Sequence, residues 1–151
     1  MDSAVLRIRE TQAGDLPALL ALYTHLHEAR IPSISPELDA LWAAILADAN
    51  HHLLLGFWGE ELVSSCVLLV VPNLTRGPRP YALVENVVTH ADFRGRGFAS
   101  AMLNHARELA RVANCYKIML MTGSKMEETL RFYERAGYNR HDKTAFIQWL
   151  D

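Results

Sequence analysis

The sequence has only two cysteines, Cys66 and Cys115, far apart and without CxxC spacing. That excludes a disulfide-built scaffold and a cysteine-based zinc site. Both lie in stretches that read as strand, the usual setting of buried structural thiols. No apolar run approaches the roughly 20 residues of a membrane span, and residues 1–10 lack the apolar core of a signal peptide. The sequon Asn73-Leu74-Thr75 therefore carries no meaning, and the cytoplasm is the expected compartment. Positive charge is not in excess: fifteen Lys and Arg face seventeen Asp and Glu, a formal charge of −2. A dominant basic surface for nucleic acid is thus not expected. His25-Leu26-His27 and His51-His52 come without HExxH spacing or a matching third ligand, so no metal is expected.

What is present is an ordinary globular composition, 151 residues with 50% hydrophobic and 21% charged side chains. A chain of this length buries about 68–70% of its unfolded surface and needs no staple. Residues 1–151 read as one domain, without internal repeat or low-complexity tail.

Val5-Leu6-Arg7-Ile8-Arg9 alternates like a strand. Asp15 then stands as an N-cap, with Pro17 in the first turn of a helix carrying Leu16, Leu19, Leu20, Tyr23 and Leu26. Ile31-Pro32-Ser33-Ile34-Ser35-Pro36 breaks it, and a second helix presents Leu38, Leu41, Trp42, Ile45 and Leu46. Residues 52–71 form a hairpin turning at Gly59-Glu60. A proline-rich loop at 72–80 leads to a strand over 81–89. Phe98, Met102, Leu103, Ala106, Leu109, Ala110 and Ala113 recur at helical spacing. Residues 116–121 read as a buried strand, 127–136 as a helix closed by Gly137 as its C′ glycine, and 145–150 as a last strand. A further short strand is possible at 138–140. The order is β-α-α-β-β-β-α-β-α-β, a mixed α/β fold.

The sharpest chemical signal is Arg94-Gly95-Arg96-Gly97-Phe98-Ala99, between a strand and an amphipathic helix. Glycines permit a tight loop and close approach of a ligand. The helix N-terminus behind them offers unpaired N–H groups and partial positive charge. Together they suit a phosphate or pyrophosphate, with the arginines adding charge. The dinucleotide fingerprint would need glycine at position 100, where Ser100 stands, and GxxxxGK[ST] occurs nowhere. Glu85 is the acidic residue within Leu83-Val84-Glu85-Asn86-Val87-Val88, a run suited to a buried strand. A carboxylate enclosed by valines is costly unless paired or set at a cleft. It is a candidate to bind a substrate ammonium or take its proton, or else a structural carboxylate paired with an arginine. Asn86 is a candidate for orienting the acceptor, His90 a second base candidate or a plain loop histidine. Arg76 and Arg79 fall in the proline-rich loop.

These residues resemble the GNAT superfamily of acetyl-CoA-dependent N-acetyltransferases. Its signature, [Arg/Gln]-x-x-Gly-x-[Gly/Ala] at a strand–loop–helix junction, is matched by Arg94, Gly97 and Ala99. Arg131-Phe132-Tyr133-Glu134-Arg135-Ala136-Gly137-Tyr138 resembles the superfamily's helix ending in Tyr-Glu-[Lys/Arg]-x-Gly-[Phe/Tyr]. One helix and one strand separate the motifs, as in the superfamily. The position seven residues before Tyr133, an asparagine in many members, is Met126.

The resemblance implies a mostly antiparallel mixed sheet flanked by helices and splayed between strands four and five. It implies that Val87, Val88 and Thr89 hold the pantetheine arm of acetyl-CoA, and that an N–H near Val88 stabilises the oxyanion. It places Gly95, Arg96 and Phe98 with Arg94, Gly97 and Ala99 around the cofactor, and Tyr133 beside its sulfur as proton donor to the departing thiolate. The expected reaction is direct acetyl transfer to a primary amine, with a homodimer as the assembly. The pattern Glu-[Asn/Asp]-Val-Val followed by Cys-Tyr-Lys is similar to amino-sugar-phosphate acetyltransferases, and aminoalkylphosphonates are related acceptors. Two other readings stay open: acetylation of a protein terminus or lysine, and a non-catalytic acyl-CoA-binding module.

Overall fold

The computed structural model describes residues 5–26 and 30–151; His27 and residues 1–4 lie outside them. Five strands form one mixed sheet: β1 (Arg7–Glu10), β2 (His51–Trp58), β3 (Glu61–Val71), β4 (Tyr81–Thr89) and β5 (Ile118–Met119), in that spatial order. The first four are antiparallel neighbours, and β5 lies parallel to β4. Helices α1 (Leu16–Tyr23), α2 (Pro36–Ala47), α3 (Phe98–Val112) and α4 (Glu127–Arg135) complete the fold.

The near-continuous apolar runs of β2 and β3 follow from burial on both faces of the sheet. Leu53, Leu55, Phe57 and Val67 join Leu16, Leu19 and Trp42 in one cluster under α1 and α2. Leu54, Cys66, Leu68 and Val70 point the other way, joining Met102, Leu103, Ala106 and Ala110 of α3. The period-two alternation of the strands thus feeds two cores. Burial pushes the Cys66 thiol up to about 12, so it behaves as a small hydrophobe, whereas Cys115 is half-buried.

Several local expectations are corrected. On α2, Trp42 is buried and its indole N–H donates to the Ala13 carbonyl at 3.0 Å, but Leu41 and Leu46 face solvent. The Asp15 side chain does not cap α1. It accepts two bonds from the Arg9 guanidinium, at 2.7 and 2.9 Å, and the Gln12 N–H at 2.6 Å, so it ties β1 to the turn before α1. The run at 116–121 gives a strand of only two residues, half-buried, because it pairs on one side and only with Ala82 and Leu83. Residues 138–140 form no strand, and neither do residues 145–150, which run exposed with no ladder partner. No described helix is long and apolar enough to cross a membrane.

Candidate active site

Two irregularities in β4 create the site. The first is a bulge: Ser65 faces Val88 while Val67 faces Glu85, so β4 carries one residue more than β3 between those pairs. Asn86 absorbs the bend at φ +51°, a left-handed conformation that asparagine tolerates better than branched residues do. Glu85 and Asn86 consequently face solvent. The flanking valines do not enclose the Glu85 carboxylate, contrary to the expectation of a buried strand position. The second irregularity is the end of pairing with β5 after Leu83. From Val84 onward β4 has no ladder partner on that side, so the splay between strands four and five is present.

Buried polar groups hold the free end of β4 in place. Ser64, fully buried, donates from Oγ to the Val88 carbonyl at 2.9 Å and lies 2.9 Å from the Thr89 hydroxyl. The His90 N–H donates to the Val63 carbonyl at 2.8 Å. Beyond it the chain makes a single tight turn (Ala91–Phe93) and enters the glycine loop. Gly95 and Gly97 take φ +75° and +80°. Gly97 is the N-cap of α3 and offers no side chain to the helix, leaving first-turn N–H groups free for an anion.

A cavity of about 630 Å³ opens between the free end of β4, the glycine loop and α4. Val87, Val88, Thr89, Arg94, Gly95, Gly97, Phe98 and Ala99 line it, so eight positions expected around a cofactor are brought together. Arg96 is not among the lining residues; its guanidinium lies over the Phe93 ring, 5.0 Å from the centroid. Arg94 departs from its expected role as a charge aimed at phosphate. It donates from Nε to the Thr89 carbonyl and from Nη2 to the His25 carbonyl, both at 3.1 Å. It therefore joins the end of β4 to the end of α1.

On α4, Thr129 and Phe132 line the cavity, and Tyr133 does not. Its ring stands edge-on to Phe132 at 5.1 Å and to Tyr138 at 6.3 Å. Burial raises the Tyr133 phenol above its ordinary value. Burial also pushes Tyr138 up to about 12, and its buried hydroxyl has no hydrogen-bond partner. Met126 is the N-cap of α4, its side chain exposed.

Sequence reasoning missed two residues of this site. Tyr23, read as part of an apolar helix face, sets its phenol beside the Asn86 and Ser65 side chains, with burial pushing it up to about 12. His25, weighed only as a metal ligand, lines the cavity; among the described residues no metal-binding cluster occurs. Its ring packs on that of His90 at 4.0 Å. His25 Nδ1 accepts the Ala91 N–H at 3.3 Å and His90 Nδ1 accepts the Asp92 N–H at 3.1 Å. Each Nδ1 is thereby occupied by a backbone N–H. The signal for Tyr23 lay in its position on α1, but only the tertiary fold carries it to β4.

A split mixed sheet with a glycine loop and helix N-terminus beside the split defines the acyl-CoA-dependent acyltransferase class. The profile of the Acetyltransferase (GNAT) family matches residues 18–138, and the chain belongs to that family. A glucosamine 6-phosphate N-acetyltransferase from Trypanosoma brucei brucei is 30% identical over 148 residues, spanning 94% of this chain and 95% of that protein. A solved structure from Agrobacterium tumefaciens str. C58, designated an acetyltransferase, superposes with a TM-score of 0.87 at 39% identity, covering 95% of this chain and 99% of that one. The glucosamine-6-phosphate N-acetyltransferase structure from Arabidopsis thaliana reaches 0.84 at 18% identity, covering 97% and 99%, a likeness of fold alone. The protein is an acyltransferase, and members of its family use acetyl-CoA as cosubstrate.

Proposed function

We propose that this protein transfers the acetyl group of acetyl-CoA directly to the primary amine of a small molecule. The observation that carries the reading is the 630 Å³ cavity between the free end of β4 and the first turn of α3. A β-strand edge there offers unpaired backbone groups to an extended amide-bearing chain, and the helix N-terminus offers N–H donors to a pyrophosphate. Glycines at 95 and 97, with nothing within 4 Å of where a Cβ would stand, leave room for a bulky anion against the backbone.

In this reading Val87, Val88 and Thr89 bind the pantetheine arm, and an N–H near Val88 faces the developing oxyanion. The loop from Arg94 through Ala99 binds the pyrophosphate mainly through its backbone, because the Arg94 guanidinium is committed to carbonyls. Arg96, exposed at the rim, adds charge. Tyr133, protonated at neutral pH as a phenol ordinarily is, donates its phenolic proton to the departing thiolate once α4 or its side chain moves toward the cavity. Glu85 takes the acceptor's proton, directly or through water, or binds the ammonium; Asn86 orients it. The carboxylate faces solvent and is not among the residues lining the cavity, which favours the water-relayed route.

The Trypanosoma relative's name supports an amino-sugar phosphate as acceptor class, with aminoalkylphosphonates as a chemical neighbour. Action in the cytoplasm, as a homodimer, belongs to the same proposal. The test is acetyl-CoA consumption over a panel: glucosamine 6-phosphate, unphosphorylated glucosamine, aminoethylphosphonate, and lysine and N-terminal peptides. Turnover highest with a small phosphorylated or phosphonylated amine supports the reading. Turnover confined to peptides, or cofactor binding without turnover, overturns it.

A further inference from the structure

We infer that Tyr23 is a positioning residue that fixes the Asn86 side-chain amide with its oxygen turned to solvent. The acceptor side of β4 is thereby set to receive hydrogen-bond donors. That consequence rests on the proposed acetyl transfer to an amine; the orientation itself does not. Helix α1 packs on β3 and β4, and Tyr23, its last residue, lies against the cluster that holds Leu55 and Val67. From there the phenol stands beside the Ser65 hydroxyl and the Asn86 amide. Ser65 marks one end of the bulge on β3, and Asn86 lies within it on β4. Asn86 keeps φ +51°, a conformation that persists in a non-glycine residue where its surroundings fix it. Burial pushes the Tyr23 phenol up to about 12, and a desolvated hydroxyl has to find partners among its neighbours.

Donor counting gives those partners a direction. Ser65 is fully buried, and its hydroxyl gives its single proton to the Leu54 carbonyl at 2.8 Å. A carbonyl only accepts, so the Ser65 oxygen has lone pairs alone to offer Tyr23. The Tyr23 proton therefore goes to Ser65, and the phenolic oxygen is left to accept. The Asn86 amide can meet it only with its NH2 group. The polar chain runs from Asn86 Nδ2 through Tyr23 Oη and Ser65 Oγ to the Leu54 carbonyl. Leu54 is itself fully buried and paired within the sheet, so a fixed backbone group sets the orientation of an exposed amide.

With its NH2 group held by Tyr23, Asn86 offers solvent an acceptor. Glu85, beside it, also faces solvent, and a carboxylate only accepts. Two neighbouring acceptors suit a group rich in N–H or O–H, such as a primary ammonium or an amine flanked by hydroxyls. They disfavour a carbonyl or an anion at the same place. An amide free to turn would offer its NH2 group as readily as its oxygen and lose that discrimination.

The experiment compares the full chain as wild type, Tyr23→Phe, Asn86→Asp and the double variant. Aspartate tolerates the left-handed backbone and carries two oxygens, so its orientation needs no support. In the nitrogen–proton NMR spectrum, the Asn86 side-chain amide is assigned by its loss in Asn86→Asp. One of its protons is expected downfield and slow to exchange, and Tyr23→Phe is expected to erase both features. Two fast-exchanging protons in the wild type overturn the inference. With one accepted amine and saturating acetyl-CoA, Tyr23→Phe is expected to raise the amine KM roughly 3–10-fold, the worth of one hydrogen bond. Both kcat and acetyl-CoA affinity stay level. In the Asn86→Asp background the same substitution changes KM by less than about twofold, because the coupled partner is gone. A merely structural Tyr23 would lower the active fraction, and so kcat, equally in both backgrounds. That outcome, or an amine KM unmoved by Tyr23→Phe, overturns the inference. Should the wild type turn over no amine, the acetyl-transfer reading falls, and the amide spectrum still decides the orientation.

Discussion

At the scale of single residues, the proposed site can be tested at three positions. Gly97 sits at φ +80° with open space where a Cβ would go, so Gly97→Val acts through backbone strain and through crowding of the ligand, not through an internal clash. A branched residue in the left-handed region costs roughly 1–2 kcal/mol, which a chain of this size tolerates. Calorimetric titration should show acetyl-CoA affinity reduced at least tenfold, about 1.4 kcal/mol; unchanged affinity would remove the pyrophosphate role from this loop. Tyr133→Phe removes one hydroxyl and no packing. If that hydroxyl protonates the thiolate, kcat falls by roughly 10²–10⁴-fold while acetyl-CoA affinity stays level. Because Tyr133 stands one residue from the cavity wall, near-normal turnover would assign the proton to water. Glu85→Gln keeps size and removes the proposed base. The acidic limb of the kcat/KM profile, measured with one good amine, should disappear or move in the variant; a limb unchanged in position leaves Glu85 with no proton to carry.

At the scale of elements, Arg9 and Asp15 hold β1 against the turn that starts α1. The Arg9 guanidinium first, and the Gln12 N–H after it, keep the Asp15 carboxyl below its ordinary value. A group depressed in the folded state contributes its full stability above the unfolded value, near 3.9, and loses it as pH falls through the lower folded value. Asp15→Asn should therefore cost about 1–3 kcal/mol at pH 7, read as an earlier urea midpoint, and the gap from wild type should close below about pH 4. Helix and strand boundaries were readable wherever periodicity met a stop residue. Tyr81–Thr89 agrees residue for residue, and α4 ends before Gly137 at φ +101°. Reading failed where the deciding partner lies outside the segment. Strand patterning alone says nothing of how many ladder bonds residues 116–121 or 145–150 obtain within one chain. The glycine loop was legible because its chemistry is local and consecutive. The Glu85 environment was not, because one extra residue opposite Cys66 turns it to solvent, and a bulge leaves no mark on hydrophobic alternation.

At the scale of the whole molecule, the two apolar clusters on opposite faces of the sheet give the scaffold its stability, while the split between β4 and β5 subtracts from it. Acetyl-CoA at a hundred times its Kd should add about 2.7 kcal/mol, seen as a rise in Tm of roughly 5–10 °C, and Gly97→Val should need a correspondingly higher concentration for the same rise. The short β4–β5 pairing has a consequence for the protein's life in a crowded solution. A half-length of central strand left bare is the kind of template on which foreign chains nucleate. If the thioester's arm lies along it, as proposed, the metabolite is also the protein's own gatekeeper against clumping. Turbidity on gentle heating should then track acyl-donor supply, so that starvation for the donor shortens the enzyme's working lifetime as well as halting its turnover.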